Sequence, residues 1–204
     1  MRYIMTAFIA AGVLSTAGLA QTATPAPTPA PAASDNILDK AVNKPGASWT
    51  VYGANQKTKL MNEPNSGVPG DQFVRATVTA KGANAWDVGA SSPIQKPIAA
   101  GDTILVAIYL RAPELKDGET MPLPYIGANG AAAPYDGLVN ANVTISKTWK
   151  LYYASGKAAK NFGGGTMNAT VHLASDKHVI DLGPVFVLDF GQNYAKKLPD
   201  NNTP

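Results

Sequence analysis

The chain contains 204 residues, with 17 lysines and arginines, 14 aspartates and glutamates and no cysteine. This length fits one ordinary domain, and the absence of cysteine excludes a disulfide framework, a lipid-modified cysteine anchor and a cysteine nucleophile. The cations are scattered and the net charge is only +3, so the sequence points to neither a nucleic acid nor an anionic membrane surface as a partner.

The first 20 residues predict a secretory signal peptide. Arg2 precedes an apolar stretch that runs from residue 4 to about residue 14, and the small residues Gly18 and Ala20 lie just before Gln21, where a signal peptidase would cut. The alternative is an N-terminal membrane anchor, but the stretch is shorter than the ~20 residues that cross a bilayer. We therefore expect a periplasmic or secreted protein with no membrane attachment after cleavage.

Residues 21–35 are rich in proline, alanine and threonine and include the run TATPAPTPAPAA. Alternating proline prevents helix formation and strand pairing and favours an extended polyproline conformation. This composition predicts a linker ahead of a domain that spans residues 36–192. Residues 193–204 are predicted to form a flexible C-terminal tail.

The sequence of residues 36–192 predicts short β-strands separated by turns. Only residues 36–42 have a helical pattern, and glycine, proline, asparagine and aspartate interrupt the apolar runs. Nine runs have the length and composition of strands: 48–53, 72–80, 85–90, 103–111, 138–146, 149–155, 166–174, 178–182 and 185–190. Such a set without an amphipathic helix predicts a single all-β domain, an antiparallel β-sandwich.

The run of residues 103–111 is the most informative strand. Its alternation separates two sides, and one of them is uniformly aliphatic, with Ile104, Val106, Ile108 and Leu110. We expect this side to face the core. The other side ends in Tyr109 and Arg111, an aromatic ring beside a cation, and is predicted to be a binding surface.

The order of several short motifs resembles that of a known family. The motifs are Gly70 with Arg75, Asn84-x-Trp86-Asp87-Val88, Gly101-Asp102-Thr103 before a Tyr-Leu-Arg-Ala strand, Trp149-Lys-Leu-Tyr, and Ile180-Asp-Leu-Gly183-Pro184-Val185. This order resembles that of the carbohydrate-binding modules of the family 4, 9 and 22 group, which accompany bacterial xylanases and endoglucanases. The resemblance covers residues 37–191.

The resemblance implies a jelly roll of the galactose-binding type that binds a plant-type or bacterial polysaccharide, such as xylan or β-glucan, without catalysis. It also implies a structural calcium ion, with Asp189 in the position of a closing-strand ligand. We expect the protein to be a monomer.

Sugar rings stack on aromatic side chains through their C–H-rich faces, and their hydroxyls pair with planar polar groups. The candidate ligand-binding residues are therefore Trp86, Gln95, Tyr109, Arg111, Tyr125 and Tyr135. The alternation around Trp86 leaves both a core position and a binding position open, and Arg111 has an alternative role in a rim ion pair. Trp49 and Trp149 are expected in the core.

The sequence gives little support for catalysis. It has no Gly-x-Ser-x-Gly motif, and its two histidines, His172 and His178, flank a predicted turn without a third zinc ligand. The prediction is a non-enzyme. Two alternatives remain: a structural or protein-interaction β-sandwich of the cell envelope without a sugar site, and a glycan hydrolase or esterase, which needs two carboxylates or a Ser-His pair in one cleft.

Overall fold

The computed structural model describes residues 36–199 and residue 201. The predicted signal peptide and linker, residues 1–35, lie outside the described residues, and the proposed division of the chain stays a prediction. Within the described ranges, no helix is both long and apolar enough to cross a membrane.

Ten strands and three short 3-10 helices form the described part of the chain. The strands are β1 (Thr50–Tyr52), β2 (Gln56–Asn62), β3 (Gln72–Val78), β4 (Gly89–Ile94), β5 (Thr103–Arg111), β6 (Thr120–Gly130), β7 (Gly137–Ser146), β8 (Lys150–Lys157), β9 (Met167–His172) and β10 (His178–Asp189). The 3-10 helices are Ile37–Lys40, Pro69–Asp71 and Ala85–Asp87.

The strands form two five-stranded antiparallel sheets. The first sheet has the order β1-β4-β9-β6-β7, and the second has the order β2-β3-β10-β5-β8. Strands that are neighbours in the chain often belong to different sheets, as β9 and β10 do. This arrangement confirms the predicted antiparallel β-sandwich.

The core lies between the two sheets because each strand turns its apolar parity inward. In β5, Ile104, Val106, Ile108 and Leu110 are all fully buried, which confirms the predicted core side. In β9 the inward residues are Met167, Ala169 and Val171, and they are equally inaccessible. Their polar neighbours in β9 therefore lie on the outer face of the first sheet.

The outer face of the second sheet is partly covered by the chain itself. Residues near the N-terminus of the domain run along β10, with Ala41 bridged to Leu188 and Gly46 bridged to Val185. Ala41, Leu188 and Leu105 form a small apolar cluster on this face. The side of β5 opposite the core is therefore occupied by packing at its start, and Tyr109 and Arg111 lie beyond that cluster.

The structure corrects three parts of the predicted strand pattern, and one of them is that residues 178–182 and 185–190 belong to a single strand, β10. Residues 85–87 form a 3-10 turn and not a strand, because the Asp87 carboxylate accepts a hydrogen bond from the Asn84 backbone N–H at 2.9 Å and caps a tight turn. Two strands were also missed. β2 is a polar edge strand, and β6 contains Pro122, Pro124 and two glycines, which interrupt the usual strand pattern.

Candidate functional site

A cleft on the outer face of the first sheet has a volume of about 740 Å³. It crosses all five strands of that sheet. Four inter-strand spacings give it a length on the order of 19 Å. Such a volume falls in the range that proteins use for small ligands, and the length suits an extended chain.

Aromatic rings form one row across this cleft. The ring of His172 in β9 stacks on Tyr125 in β6, with centroids 4.3 Å apart and planes inclined by 19°. Trp86 packs its edge against His172 at 6.0 Å. Tyr52 in β1 continues the row, because its strand partner Gly89 is in turn the partner of His172.

Polar groups form two further rows beside the aromatic row. Ser91, Thr170, Gly127 and Asn140 are successive strand partners across the sheet. Asn168 and Asn129 are partners in the next row. The side-chain amides of Asn140 and Asn168 make no hydrogen bond within the described part of the chain, so both can pair with a bound ligand.

Trp86 owes its exposure to the 3-10 turn described above. Its side chain is 58% exposed, and it projects from the turn at the edge of the cleft. The hydrogen bond from Asn84 also lowers the pKa of the Asp87 carboxyl, so the cap is charged at neutral pH. The turn therefore settles the question that alternation left open: Trp86 faces the cleft and not the core.

The hairpin between β6 and β7 supplies a further aromatic side chain of the cleft, that of Tyr135. Tyr135 lies on this hairpin with 60% of its surface exposed and lines the cleft. The adjacent Asp136 forms an ion pair with Lys160, so its charge is compensated outside the cleft. Among the described residues that line the cleft there is no aspartate, glutamate, lysine or arginine.

Burial shifts the titration of the cleft side chains. It raises the pKa of Tyr125 to about 12, with a smaller contribution from Tyr52. It lowers the pKa of His172 below the usual value of 6.5, because the half-buried imidazolium would lose hydration. The cleft is therefore uncharged at neutral pH.

The structure brings together three of the six predicted ligand-binding residues: Trp86, Tyr125 and Tyr135. Tyr109 and Arg111 lie in β5 of the second sheet, so Trp86 is not their neighbour. Gln95 is exposed just after β4 and does not line the cleft. A ligand role for these last three stays a prediction from the sequence, and the cleft does not include them.

Arg111 has the alternative role, an ion pair. It donates from Nε to Asp181 at 2.7 Å and contacts Glu63 at 3.2 Å. Its guanidinium also lies 4.7 Å from the ring centroid of Trp149, which packs on this outer face and is only half buried. Trp49, by contrast, is in the core as predicted and donates to the Gly183 carbonyl at 2.7 Å.

The surroundings of Asp189 bear on the predicted calcium site. Its carboxylate accepts a hydrogen bond from Gly191 N–H, and burial together with the neighbouring Asp102 raises its pKa. Calcium takes six to eight oxygen ligands, whereas no group of three or more acidic, histidine or cysteine side chains converges anywhere in the described ranges. The described side chains around Asp189 include too few carboxylates to form a calcium site by themselves, and calcium binding stays a prediction from the family resemblance.

Sequence reasoning missed several residues of the cleft: Tyr52, Ser91, Asn129, Asn140, Asn168, Thr170 and His172. A signal for three of them was present, because Asn168, Thr170 and His172 alternate with Met167, Ala169 and Val171. His172 was considered only as a zinc ligand with His178. The two histidines lie on different sheets, His172 in β9 and His178 in β10.

No family model matches the sequence, and the comparison with curated proteins found no significant match. Solved structures do resemble the fold. An arabinose-bound GH51 α-L-arabinofuranosidase matches 75% of this chain with a TM-score of 0.52 and 14% identity. The match covers only 26% of the length of that enzyme. A CBM4 module matches with a TM-score of 0.52 and 12% identity over 70% of this chain and 94% of its own.

The similarity to the CBM4 module confirms the fold that the motif order implied. The chain is a β-sandwich jelly roll of the kind seen in carbohydrate-binding modules. At 12% and 14% identity these likenesses concern the fold alone. The function must therefore be argued from the cleft.

Proposed function

We propose that this protein binds a neutral polysaccharide chain, such as xylan or β-glucan, in the cleft of the first sheet without chemical change. The observation that supports this function best is the row of aromatic rings beside two rows of uncharged polar groups. A sugar has the same two kinds of surface, an apolar C–H face and a rim of hydroxyls.

The aromatic row suits stacking on successive sugar rings. Trp86 and Tyr135 are the most exposed aromatic side chains in the cleft. Tyr125 and His172 are held as a stacked pair in the same cleft, so little conformational freedom is lost when a ligand covers them. This arrangement favours an extended chain that contacts several rings in turn.

The amides of Asn140 and Asn168 suit the hydroxyls. Each amide both donates and accepts, and so does each hydroxyl. Because neither amide is engaged within the described part of the chain, pairing with a sugar would not break an existing protein hydrogen bond. These contacts would orient the polysaccharide, while the stacked aromatic rings would provide most of the area buried on binding.

The uncharged lining favours binding over hydrolysis. Glycoside hydrolysis by the common mechanism uses two carboxyl groups beside the scissile bond. No carboxylate lines the described cleft, so a non-catalytic module is the better interpretation. The same lining favours a neutral glycan, because an acidic polymer would lose hydration there without gaining a cation partner.

A sugar-binding module is expected to expose aromatic rings on one sheet, whereas a purely structural sandwich is not; of the two rings named for this comparison, Trp86 lines the cleft of the first sheet and Tyr109 lies on the second. Trp86 and Tyr135 are exposed in the cleft, which favours the module over a structural protein of the envelope. The proposal includes export to the periplasm or the medium, which rests on residues 1–20 of the sequence.

Affinity electrophoresis through gels that contain soluble xylan, mixed-linkage β-glucan or hydroxyethyl cellulose tests this function directly. We expect at least one of these neutral polymers to retard the protein, and polygalacturonate to leave its mobility unchanged. Unchanged mobility in all neutral gels would contradict the proposal. Retardation by polygalacturonate alone would contradict the inference from the uncharged lining.

Two alanine variants locate the site. Trp86→Ala removes an exposed ring from the cleft and should weaken binding by roughly three- to tenfold. Tyr109→Ala is the matched aromatic variant on the other sheet, and its mobility should equal that of the wild type at a temperature where both are folded. The opposite result, with only Tyr109→Ala impaired, would move the site to β5.

A further inference from the structure

Gly89 occupies a position where a side chain would collide with the ring of Tyr52, which lines the cleft. It is the antiparallel partner of Tyr52, and it is buried within the first sheet. A β-carbon at position 89 would lie 2.5 Å from Cζ of the Tyr52 ring, 3.1 Å from Cε1, and closer still to the hydroxyl oxygen. These distances are too short for carbon, so the Tyr52 ring lies over the bare backbone of β4.

The path of the Tyr52 ring leads toward the middle of the cleft. Gly89 separates Tyr52 from His172 in the register of the sheet. Tyr52, Tyr125 and Tyr135 line the same cleft. The Tyr52 ring, which lies over Gly89, therefore points from an edge strand toward His172.

A second glycine fixes the backbone next to Tyr52. A β-carbon at Gly53 would lie 2.9 Å from the Val88 Cα and would overlap the Asp87 carbonyl oxygen. The end of β1 thus packs directly on the turn that holds Trp86. The two close approaches place Tyr52 and Trp86 beside each other in one cleft, although they are separated by more than thirty positions in the sequence.

We infer that Gly89 is a positioning residue: its missing side chain lets the Tyr52 ring lie across β4 and extends the aromatic row to the edge of the sheet. Glycine inside a strand weakens the strand and often marks the close approach of another group. Here that group is the Tyr52 ring. The role of the extended row in binding rests on the proposed function, whereas the packing of Tyr52 on Gly89 does not.

A double-mutant cycle on stability tests the packing without any ligand. The variants are Gly89→Ala, Tyr52→Ala and both together, followed by thermal unfolding. Gly89→Ala alone should lower the Tm by only about 2–4 °C, because the added carbon displaces the far end of the Tyr52 side chain, which is exposed and can move. In the Tyr52→Ala background the same change should leave the Tm unchanged or raise it, because the ring is gone.

The stability control is Gly137→Ala. Gly137 is also a strand residue of the first sheet, but a β-carbon there would meet no heavy atom within 4 Å. This change should not lower the Tm. If Gly89→Ala lowered the Tm equally with and without Tyr52, the two residues would be uncoupled and the inference would be overturned.

Affinity electrophoresis in soluble xylan and β-glucan gels tests the functional part, at a temperature where all variants are folded. Gly89→Ala should weaken binding roughly three- to tenfold, about as much as Tyr52→Ala, and the double variant should be no weaker. Full binding by Gly89→Ala would refute the positioning role. If the wild type bound neither polymer, the proposed function would fail in these gels, and the stability cycle would still decide the packing of Tyr52 on Gly89.

Discussion

Asp181 joins two arginines on the outer face of the second sheet, and we predict that Asp181→Asn destabilises the fold without affecting the cleft. The carboxylate is fully buried and accepts from Arg75 Nε and Arg111 Nε, each at 2.7 Å. Its hydrogen bond to Arg75 raises the pKa of that guanidinium. Asparagine keeps the shape of the side chain but removes the charge that both arginines need.

The magnitude follows from how deeply each partner is buried. Removing one member of a buried ion pair costs about 3–5 kcal/mol, because an uncompensated charge remains. The side chains of Arg75 and Arg111 are 31% and 16% exposed, so water can partly solvate them. We therefore expect the lower end, about 3 kcal/mol, which lowers the Tm of a domain this size by roughly 6–12 °C.

Thermal unfolding of the purified variant measures this loss, and Asp117→Asn is the matched control. Asp117 pairs with Lys147 at 2.8 Å, but it is almost fully exposed, so its Tm should be nearly that of the wild type. Polysaccharide binding by folded Asp181→Asn should be unchanged. A Tm equal to that of Asp117→Asn would refute the reasoning about the buried carboxylate, and lost binding would connect the network to the ligand.

Three further predictions concern the two histidines, the buried phenol of Tyr125 and the side-chain amide of Asn168. Burial lowers the pKa of both His172 and His178 below 6.5, so the unfolded chain takes up protons before the folded protein does as the pH falls. The stability contributed by the two neutral histidines is therefore complete above about pH 6.5 and decreases as the pH drops toward their folded-state pKa values. The Tm should fall between about pH 7.5 and about pH 5.5, and this dependence should be weaker when both histidines are replaced by glutamine. Alkaline titration followed by ultraviolet absorbance should show a phenol with a pKa of about 12 that Tyr125→Phe removes; its absence would contradict the burial of Tyr125. Asn168→Ala should weaken polysaccharide binding roughly three- to tenfold with an unchanged Tm, and equal binding would show that this amide does not contact the ligand.

The cleft shows how one sheet of a sandwich can carry an open surface of polar and aromatic side chains. In β9 the inward parity of Met167, Ala169 and Val171 maintains the core, so the outward parity can vary without loss of packing. The same strand therefore stabilises the fold and contributes Thr170 and His172 to the lining of the cleft. The second sheet lacks this freedom at its centre, because the N-terminal part of the domain covers the outer face of β10.

The sequence determined those features that depend on local pattern. The alternation in residues 103–111 identified the core side of β5, and the density of turn residues with the lack of a long helix predicted the sandwich. The motif order added the jelly-roll fold, which the CBM4 similarity confirms. The requirement for aromatic side chains that stack on sugar rings identified Trp86, Tyr125 and Tyr135, which line the cleft.

Only the tertiary structure decided which residues share a surface. Alternation places Tyr109 and Arg111 away from the core, but it does not reveal that Asp181, seventy positions away, pairs with Arg111. Nor does it show that Tyr52 lies over Gly89 and so joins His172 and Tyr125. Side-chain parity is a property of one strand, whereas a binding cleft requires the order and register of five strands. Because the chain crosses repeatedly between the two sheets, the order and register of the strands are set by pairing and packing between residues that are far apart in the sequence.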